Sequence, residues 1–220
     1  MKTGAIILCG GKSSRMGRDK ATLPFGAESM LQRVVRLLCD VVPAKNFVVV
    51  SAQHQILPEL PAEITITQDL HPERGPLEGL AAGLAVVDPA LDAVYVTSCD
   101  VPLLAPRFVS RMFELLDGHA IVVPRDGAFH HPLAAVYRPG VLPTVRNLLE
   151  NNRLRPRFLF DEVDTREVDV EELRRVDPGL HTLRNLNTPE DYQTALQEAG
   201  FSGENHGDHF PNRHGGIERK

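Results

Sequence analysis

The chain has 220 residues, 42% of them hydrophobic, and a formal net charge of −5. That length and apolar content suit one globular domain with a sizeable core, or at most two small ones. The acidic balance disfavours bulk electrostatic binding of nucleic acid, so any polyanion site must be a local cluster of Lys and Arg. The three cysteines, Cys9, Cys39 and Cys99, are odd in number and widely spaced, with no Cys-x-x-Cys pair, which argues against a disulfide framework and a structural zinc site. All three lie in apolar segments and are expected as buried free thiols in a reducing cytoplasm. The apolar stretch Ala5 to Leu8 is too short for a signal-peptide core, and no window approaches the ~18 apolar residues of a membrane helix.

In chain order, residues 4–9 (GAIILC) read as a buried strand, followed by a glycine-rich basic loop. Residues 29–41 place apolar groups at helical spacing behind Ser29 as N-cap, which predicts an amphipathic helix. Strands are expected at 47–50 (FVVV) and 63–67 (EITIT), then a helix at 76–87 despite its two glycines, and a strand at 93–98 (AVYVTS). A proline-led helix follows at 106–116, then strand-like stretches at 120–123 and 133–137. Helices near 140–150 and 189–199, the latter behind Thr188 and Pro189, complete the pattern. Strands alternating with helices imply βαβ units and a mostly parallel sheet covered on both faces, a three-layer α/β/α arrangement over residues 1–199. The glycine- and histidine-rich remainder, residues 200–220, is expected to be a disordered tail, with weak metal binding by its histidines as the alternative.

Ligands of such sheets bind beyond the carboxyl ends of the strands. That selects the loop after the first strand and the turn SCDVPLL, residues 98–104. The loop LCGGKSSRMGRDKATLPFG, residues 8–26, contains Gly-Lys-Ser, yet a P-loop needs a glycine where Ile6 stands, and the dinucleotide pattern G-x-G-x-x-G fails at Ser14. What remains is Gly10, Gly11 and Gly17 with Lys12, Arg15, Arg18 and Lys20. Glycines let successive backbone N–H groups approach an anion. Arg15 can fork onto phosphate oxygens, and Lys20 is a compact point charge. Such a loop is either a polyphosphate cradle or a solvated basic segment.

Asp100, at the end of the strand AVYVTS and shortly before Pro102, is either a Mg²⁺ ligand or a turn aspartate. Asp69 taken alone is an ordinary loop acid. The stretch RGPLEGL, residues 74–80, is a helix start able to face an anion. Asn185 and Asn187 either orient an acceptor or metal-bound waters, or hold a turn. His130 and His131 are either near an acceptor pocket or structural.

The loop resembles the signature L-x-G-G-x-S-x-R-M-G-x-D-K-x-x-L of nucleotidyltransferases with a Rossmann-like three-layer α/β/α fold, and within that superfamily the molybdenum cofactor guanylyltransferases, the MobA-like nucleotidyltransferases. Further stretches agree in order: ITQDLHPERGPLEGLAAGL (66–84), VTSCDVPLL (96–104), HHPLAAVY (130–137) and NLNTPEDY (185–192). The resemblance runs over about residues 1–199. It implies that the backbone of Leu8, Cys9 and Gly10 meets the nucleotide, with Gly10 and Gly11 leaving space beside it. It further implies that Lys20 contacts the triphosphate and steadies charge at the α-phosphorus, that Asp69 lies near guanosine, and that Asp100 binds Mg²⁺; the Arg15 guanidinium is expected to add to the neutralisation of phosphate charge. Cys9 replaces the usual alanine of that signature, and a residue so similar in size is expected to be tolerated. Gly10-Gly11 with Asp19-Lys20 favours guanylyl over cytidylyl transfer.

The implied reaction is Mg²⁺-dependent transfer of GMP from GTP to the terminal phosphate of the molybdopterin cofactor, with release of pyrophosphate. Beyond GTP and molybdopterin, the implied partners are transient contacts with cofactor-biosynthesis or molybdoenzyme proteins, and neither nucleic acid nor membrane is expected. The alternatives are a cytidylyltransferase for the same cofactor, a sugar-phosphate nucleotidyltransferase, and a non-catalytic protein that delivers the cofactor. The glycine-rich loop is expected to form one wall of the site, with Asp100 on the opposite wall.

Overall fold

The computed structural model describes residues 1–10, 19–69 and 71–201. Gly11, Lys12, Arg15, Gly17 and Arg18, together with the tail from Ser202 onward, lie outside the described residues.

The elements are β1 (Thr3–Leu8), β2 (Pro24–Phe25), β3 (Glu28–Ser29), α1 (Met30–Cys39), β4 (Phe47–Ala52), β5 (Thr65–Asp69), α2 (Pro76–Leu84), β6 (Ala93–Ser98), α3 (Pro106–Leu115), β7 (Ile121–Asp126), β8 (Phe129–His130), β9 (Ala135–Tyr137), α4 (Leu142–Glu150), α5 (Arg157–Glu162), β10 (Thr165–Asp169), α6 (Val170–Leu173) and α7 (Pro189–Glu198). Among the described residues no helix is long and apolar enough to cross a membrane.

The main sheet runs β10-β7-β9-β6-β1-β4-β5, with β8 paired to β7. The pairs β1–β4, β1–β6, β4–β5 and β7–β10 are parallel, whereas β9 lies antiparallel between β6 and β7. This is the expected α/β/α sandwich, with β9 inserted in reverse and β8 reversed against β7. From β1 the chain moves out to β4 and β5, then returns to β6 on the other side of β1. The loops after β1 and β6 therefore leave the sheet side by side at the point where strand order reverses, which is where open α/β sheets bind ligands.

Both faces of the sheet are buried, which explains the unbroken apolar runs of β1 and β6. Ala5, Ile7, Tyr95 and Cys99 face α1 and α3, while Ile6, Leu8, Val94 and Val96 face α2 and α4. Helix α1 starts at Ser29 with a reciprocal capping box to Gln32, as the sequence predicts. The two glycines of α2 have a packing reason. A Cβ at Gly83 would stand 2.6 Å from Ile6 Cγ2, and one at Gly79 would stand 3.2 Å from Leu8 Cδ1. Their absence of side chains lets α2 lie close on β1.

A third apolar cluster, Leu23, Phe25, Met30, Leu186, Tyr192, Ala195 and Leu196, joins the β2–β3 hairpin to α7. Phe201 caps it by an edge contact to Phe25 at 5.6 Å between centroids, and the Tyr192 hydroxyl donates to the Pro24 carbonyl. This cluster carries the strap of residues 185–187 to the end of β6, where Leu186 N donates to Asp100 O at 2.9 Å.

Several boundaries differ from expectation. Strand β5 begins two residues later than expected and ends on Asp69, and α2 stops at Leu84. Of 133–137 only Ala135–Tyr137 is strand, after a 3₁₀ turn. Cys39 is exposed, unlike Cys9 and Cys99, because it ends α1 on the face away from the core.

Gly83→Val is expected to cost about 1–3 kcal/mol, as overpacking of a filled interface does. Urea unfolding should show a lowered midpoint, with Gly79→Ala changing less.

Candidate functional site

Lys20 sits in a 3₁₀ turn, Lys20–Thr22, whose N-cap is Asp19; the Asp19 carboxylate accepts from Ala21 N at 2.9 Å. The turn leads into the β2–β3 hairpin and fixes the lysine's direction. Lys20 Nζ donates to Asp100 Oδ2 at 2.7 Å and to Asn187 Oδ1 at 3.0 Å. Asp100 is placed by β6, which pairs with β1 in the register Leu8 to Ser98. Its other oxygen, Oδ1, accepts from Ser98 Oγ at 2.5 Å and from Asn185 Nδ2 at 2.7 Å. Asp191 orders the strap from below. Its carboxyl accepts the backbone N–H groups of Asn187 and Thr188, and these hold it below the usual carboxylate range.

The loop residues 11–18, expected as the wall opposite Asp100, lie outside the described residues, but Lys20 at the loop's end does not stand across from Asp100. The two touch, and the strap 185–187 completes the constellation. The sequence left Asn185 and Asn187 divided between orienting a ligand and holding a turn. Here Asn185 fixes the aspartate, and Asn187 fixes the lysine.

Two oxygens, Asp100 Oδ2 and Asn187 Oδ1, converge on the one point occupied by the ammonium. Hard oxygen donors around a cationic position fit a hard divalent ion. Among the described residues no three His, Cys, Asp or Glu side chains converge. One carboxylate oxygen and one amide oxygen could hold a divalent cation that completes its shell with phosphates and water.

The backbone that the resemblance sets against a nucleotide lies one strand away. Cys9 N donates to Val50 O at 2.8 Å, and Cys99 N donates to Leu8 O at 3.1 Å, so Leu8 and Cys9 are locked between β4 and β6. The Cys9 side chain joins the apolar cluster toward α1 and α3. The adjacent Cys99 thiol and burial push the Cys9 thiol well up, so it stays neutral. Cys9 thus stands as a small buried side chain where the resembled signature has alanine. Gly10 is exposed, and a Cβ there would meet Ala52 N at 3.6 Å, an ordinary contact. Gly11 and Arg15 lie outside the described residues.

Asp69 ends β5 in register with Ala52. It is buried, its carboxylate accepts from His71 N at 2.8 Å, and burial pushes its carboxyl up. It stands on the same sheet edge as Asp100, three strand spacings away, or about 14 Å. Gln55, which the sequence did not single out, bonds to both the Cys9 carbonyl and Asp19. No motif marks it; it is a polar residue in the turn after β4.

On the other side of the strap, a cavity of about 210 Å³ is lined by Pro76, His130, His131, Thr182, Leu183 and Asn185 among others. His130 Nε2 lies 2.7 Å from Glu167 Oε1, and burial pushes the His131 imidazole down. The structure therefore brings together Lys20, Asp100, Leu8, Cys9 and Gly10, places Asp69 farther along the same edge, and leaves the histidines beside the strap.

The model of the MobA-like NTP transferase domain matches residues 5–166. A protein of Methanosarcina mazei named "Probable molybdenum cofactor guanylyltransferase" is 34% identical over 206 residues, covering 89% of this chain and 90% of that protein. The solved structure of molybdopterin-guanine dinucleotide biosynthesis protein A from Archaeoglobus fulgidus superposes with a TM-score of 0.72 at 19% identity, over 91% of this chain and all of that one. The 2-C-methyl-D-erythritol 4-phosphate cytidylyltransferase of Thermus thermophilus gives 0.68 at 15% identity, over 91% of this chain and 100% of that one. At these identities the two structural likenesses are of fold. The family match and the relative carry more: this chain belongs to the MobA-like NTP transferase family.

Proposed function

We propose that the chain transfers GMP from GTP to the terminal phosphate of the molybdopterin cofactor, releasing pyrophosphate and forming the guanine dinucleotide cofactor. The observation that carries this reading is the Lys20–Asp100 pair, tied down by Asn185 and Asn187 beside the end of β1 in a member of this family. The printed names of the relatives favour guanylyl over cytidylyl transfer.

In this reading the triphosphate lies over Leu8, Cys9 and Gly10, and Gly11 and Arg15 keep the nucleotide-binding roles expected from the sequence. Asp69 stands at the guanosine end, a buried acceptor at the distance a nucleotide spans. The cavity beside Asn185 receives the acceptor, so its terminal phosphate approaches near Asp100. Attack is by a phosphate oxygen that is already anionic, so no strong general base is required. The chain's task is positioning and charge neutralisation. Lys20 exchanges its contact with Asp100 for phosphate oxygens as charge develops. Asp100, held by Ser98 and Asn185, presents Oδ2 to the metal position, and Asn187 presents its carbonyl oxygen to the same point. Asp100 and Asn187 are the residues that would hold Mg²⁺ there, and the ion would supply further neutralisation of phosphate charge.

Pyrophosphate release measured with each of the four common NTPs, with and without molybdopterin, is expected to require GTP and the cofactor together. A preference for CTP, or turnover on a sugar phosphate instead, overturns the reading, and GTP binding without pyrophosphate release points to a delivery protein. Lys20→Ala and Asp100→Ala are each expected to lower transfer at least ~10²-fold, the scale of one preorganised charge contact, with unchanged circular dichroism. Gly10→Val is expected to leave the unfolding midpoint near wild type, since its Cβ has room on the protein side, while raising KM for GTP at least ~10-fold through lost backbone approach. A wild-type KM in that variant would remove Gly10 from the nucleotide contact.

A further inference from the structure

Strand β4 ends in a tight turn closed by Gln55 N donating to Ala52 O at 3.3 Å. His54 in this turn has φ of +60°, in the left-handed region that few residues other than glycine enter. The turn carries the Gln55 side chain back toward the ends of β1 and β4. Its amide is fully used there. Gln55 Oε1 accepts from Ala52 N at 2.9 Å, and Nε2 donates to Cys9 O at 3.0 Å and to Asp19 Oδ1 at 2.9 Å. An amide has two N–H donors and one carbonyl, and this one meets two acceptors and one donor.

The two acceptors are the residues that bracket the glycine-rich segment 10–18 on either side. Cys9 is the last residue before it, and Asp19 is the first after it. Asp19 is also the cap whose carboxylate fixes the turn bearing Lys20. One half-buried amide therefore ties the nucleotide-facing end of β1 to the base of the catalytic lysine.

We infer that Gln55 is a positioning residue that clamps both ends of the glycine-rich segment and thereby sets Lys20 against the triphosphate. Its catalytic consequence rests on the proposed guanylyl transfer, whereas the clamp itself does not. The chemistry at this position is specific. Methionine keeps the length of the side chain but none of the hydrogen bonds. Glutamate places a carboxylate oxygen against two acceptors, one of them the Asp19 carboxylate, and repels both. Holding Cys9 and Asp19 at a fixed separation removes chain entropy that would otherwise oppose the placement of Lys20.

The test compares wild type, Gln55→Met and Gln55→Glu. Steady-state transfer is expected to show kcat/KM for GTP lowered about 10- to 100-fold in Gln55→Met, the scale of losing bonds that include one to a charged group. KM for GTP should rise and KM for the acceptor should stay at the wild-type value. Gln55→Glu should be worse than Gln55→Met at a similar unfolding midpoint. Asp19→Asn is expected to add little in the Gln55→Met background, because the two act as one unit. A merely structural role would lower the active fraction, and so kcat, without moving KM for GTP.

A second arm needs no knowledge of the substrate. Brief trypsin treatment should cut at Lys12, Arg15 or Arg18 at least ~5-fold faster in Gln55→Met than in wild type, while sites elsewhere are unchanged. Equal nicking in the two proteins overturns the clamp. Faster nicking with unaltered GTP kinetics overturns its role in positioning Lys20. Should wild type release pyrophosphate from no NTP, the transfer reading fails, and the nicking arm still decides the clamp.

Discussion

A lysine and an aspartate 80 residues apart in sequence meet at 2.7 Å, and most of the site's architecture serves that meeting. The pair is neither buried nor free: the side chains retain 16% and 12% of their exposure. An ion pair in such a position contributes little net stability, because Coulomb attraction and lost hydration nearly offset one another. Its value to the protein lies in orientation. The ammonium must be aimed by a rigid turn and the carboxylate by a rigid strand end, or the two would drift into solvent. The Asp19 cap supplies the first, and the parallel β1–β6 ladder supplies the second.

The apolar framework explains how a strap from late in the chain closes on these two early elements. The two clusters on the sheet faces fix β1, β4 and β6 but reach neither Lys20 nor Asn187. The third cluster does so indirectly. It packs Leu186 between the hairpin that follows Lys20 and helix α7, so the flanking asparagines are held on opposite sides of one buried leucine. The backbone bond from Leu186 to the Asp100 carbonyl sets the depth of the strap. Asn185 then reaches the aspartate and Asn187 the lysine, two contacts positioned by a single apolar anchor.

Much of this was legible in the sequence, and what was not has physical causes. The apolar runs of β1, β4 and β6 and the spacing in α1 announce themselves because burial on both faces, or on one stripe, leaves a periodic record. Ile6 alone removes the P-loop reading. Lys20 and Asp100 are legible from their places after the first strand and at the end of a central one, but their contact is not, because it depends on a turn capped by Asp19 and on a register between strands. The region 151–188 is nearly silent, since α5, α6 and β10 are short and β10 is a partly exposed edge strand whose TREVD carries charges at the positions facing water. The reversal of β9 leaves no trace in three apolar residues. Gln55 escaped because an amide that saturates three backbone and side-chain partners looks, in sequence, like any polar residue in a turn. Cys39 was misplaced since an apolar neighbourhood in sequence says little about the last turn of a helix, where one side always meets solvent.

The manner in which Asp100 is held bears on how an acidic protein handles a highly anionic substrate. With a net charge of −5, the chain supplies positive charge only locally, and Lys20 is already neutralised at rest. If Oδ1 and Oδ2 both depended on the lysine, withdrawing it toward phosphate would free the carboxylate to turn away. Instead, Ser98 and Asn185, both neutral donors, grip Oδ1 independently of Lys20. Oδ2 therefore keeps its direction when the ammonium leaves, and it faces a point that the Asn187 carbonyl also addresses. Neutral donors are the right chemistry for that grip: a second cation there would itself be drawn toward the phosphate and loosen its hold on Asp100. In the proposed transfer, departure of the lysine uncovers a preoriented oxygen pair at the moment when phosphate charge arrives beside it.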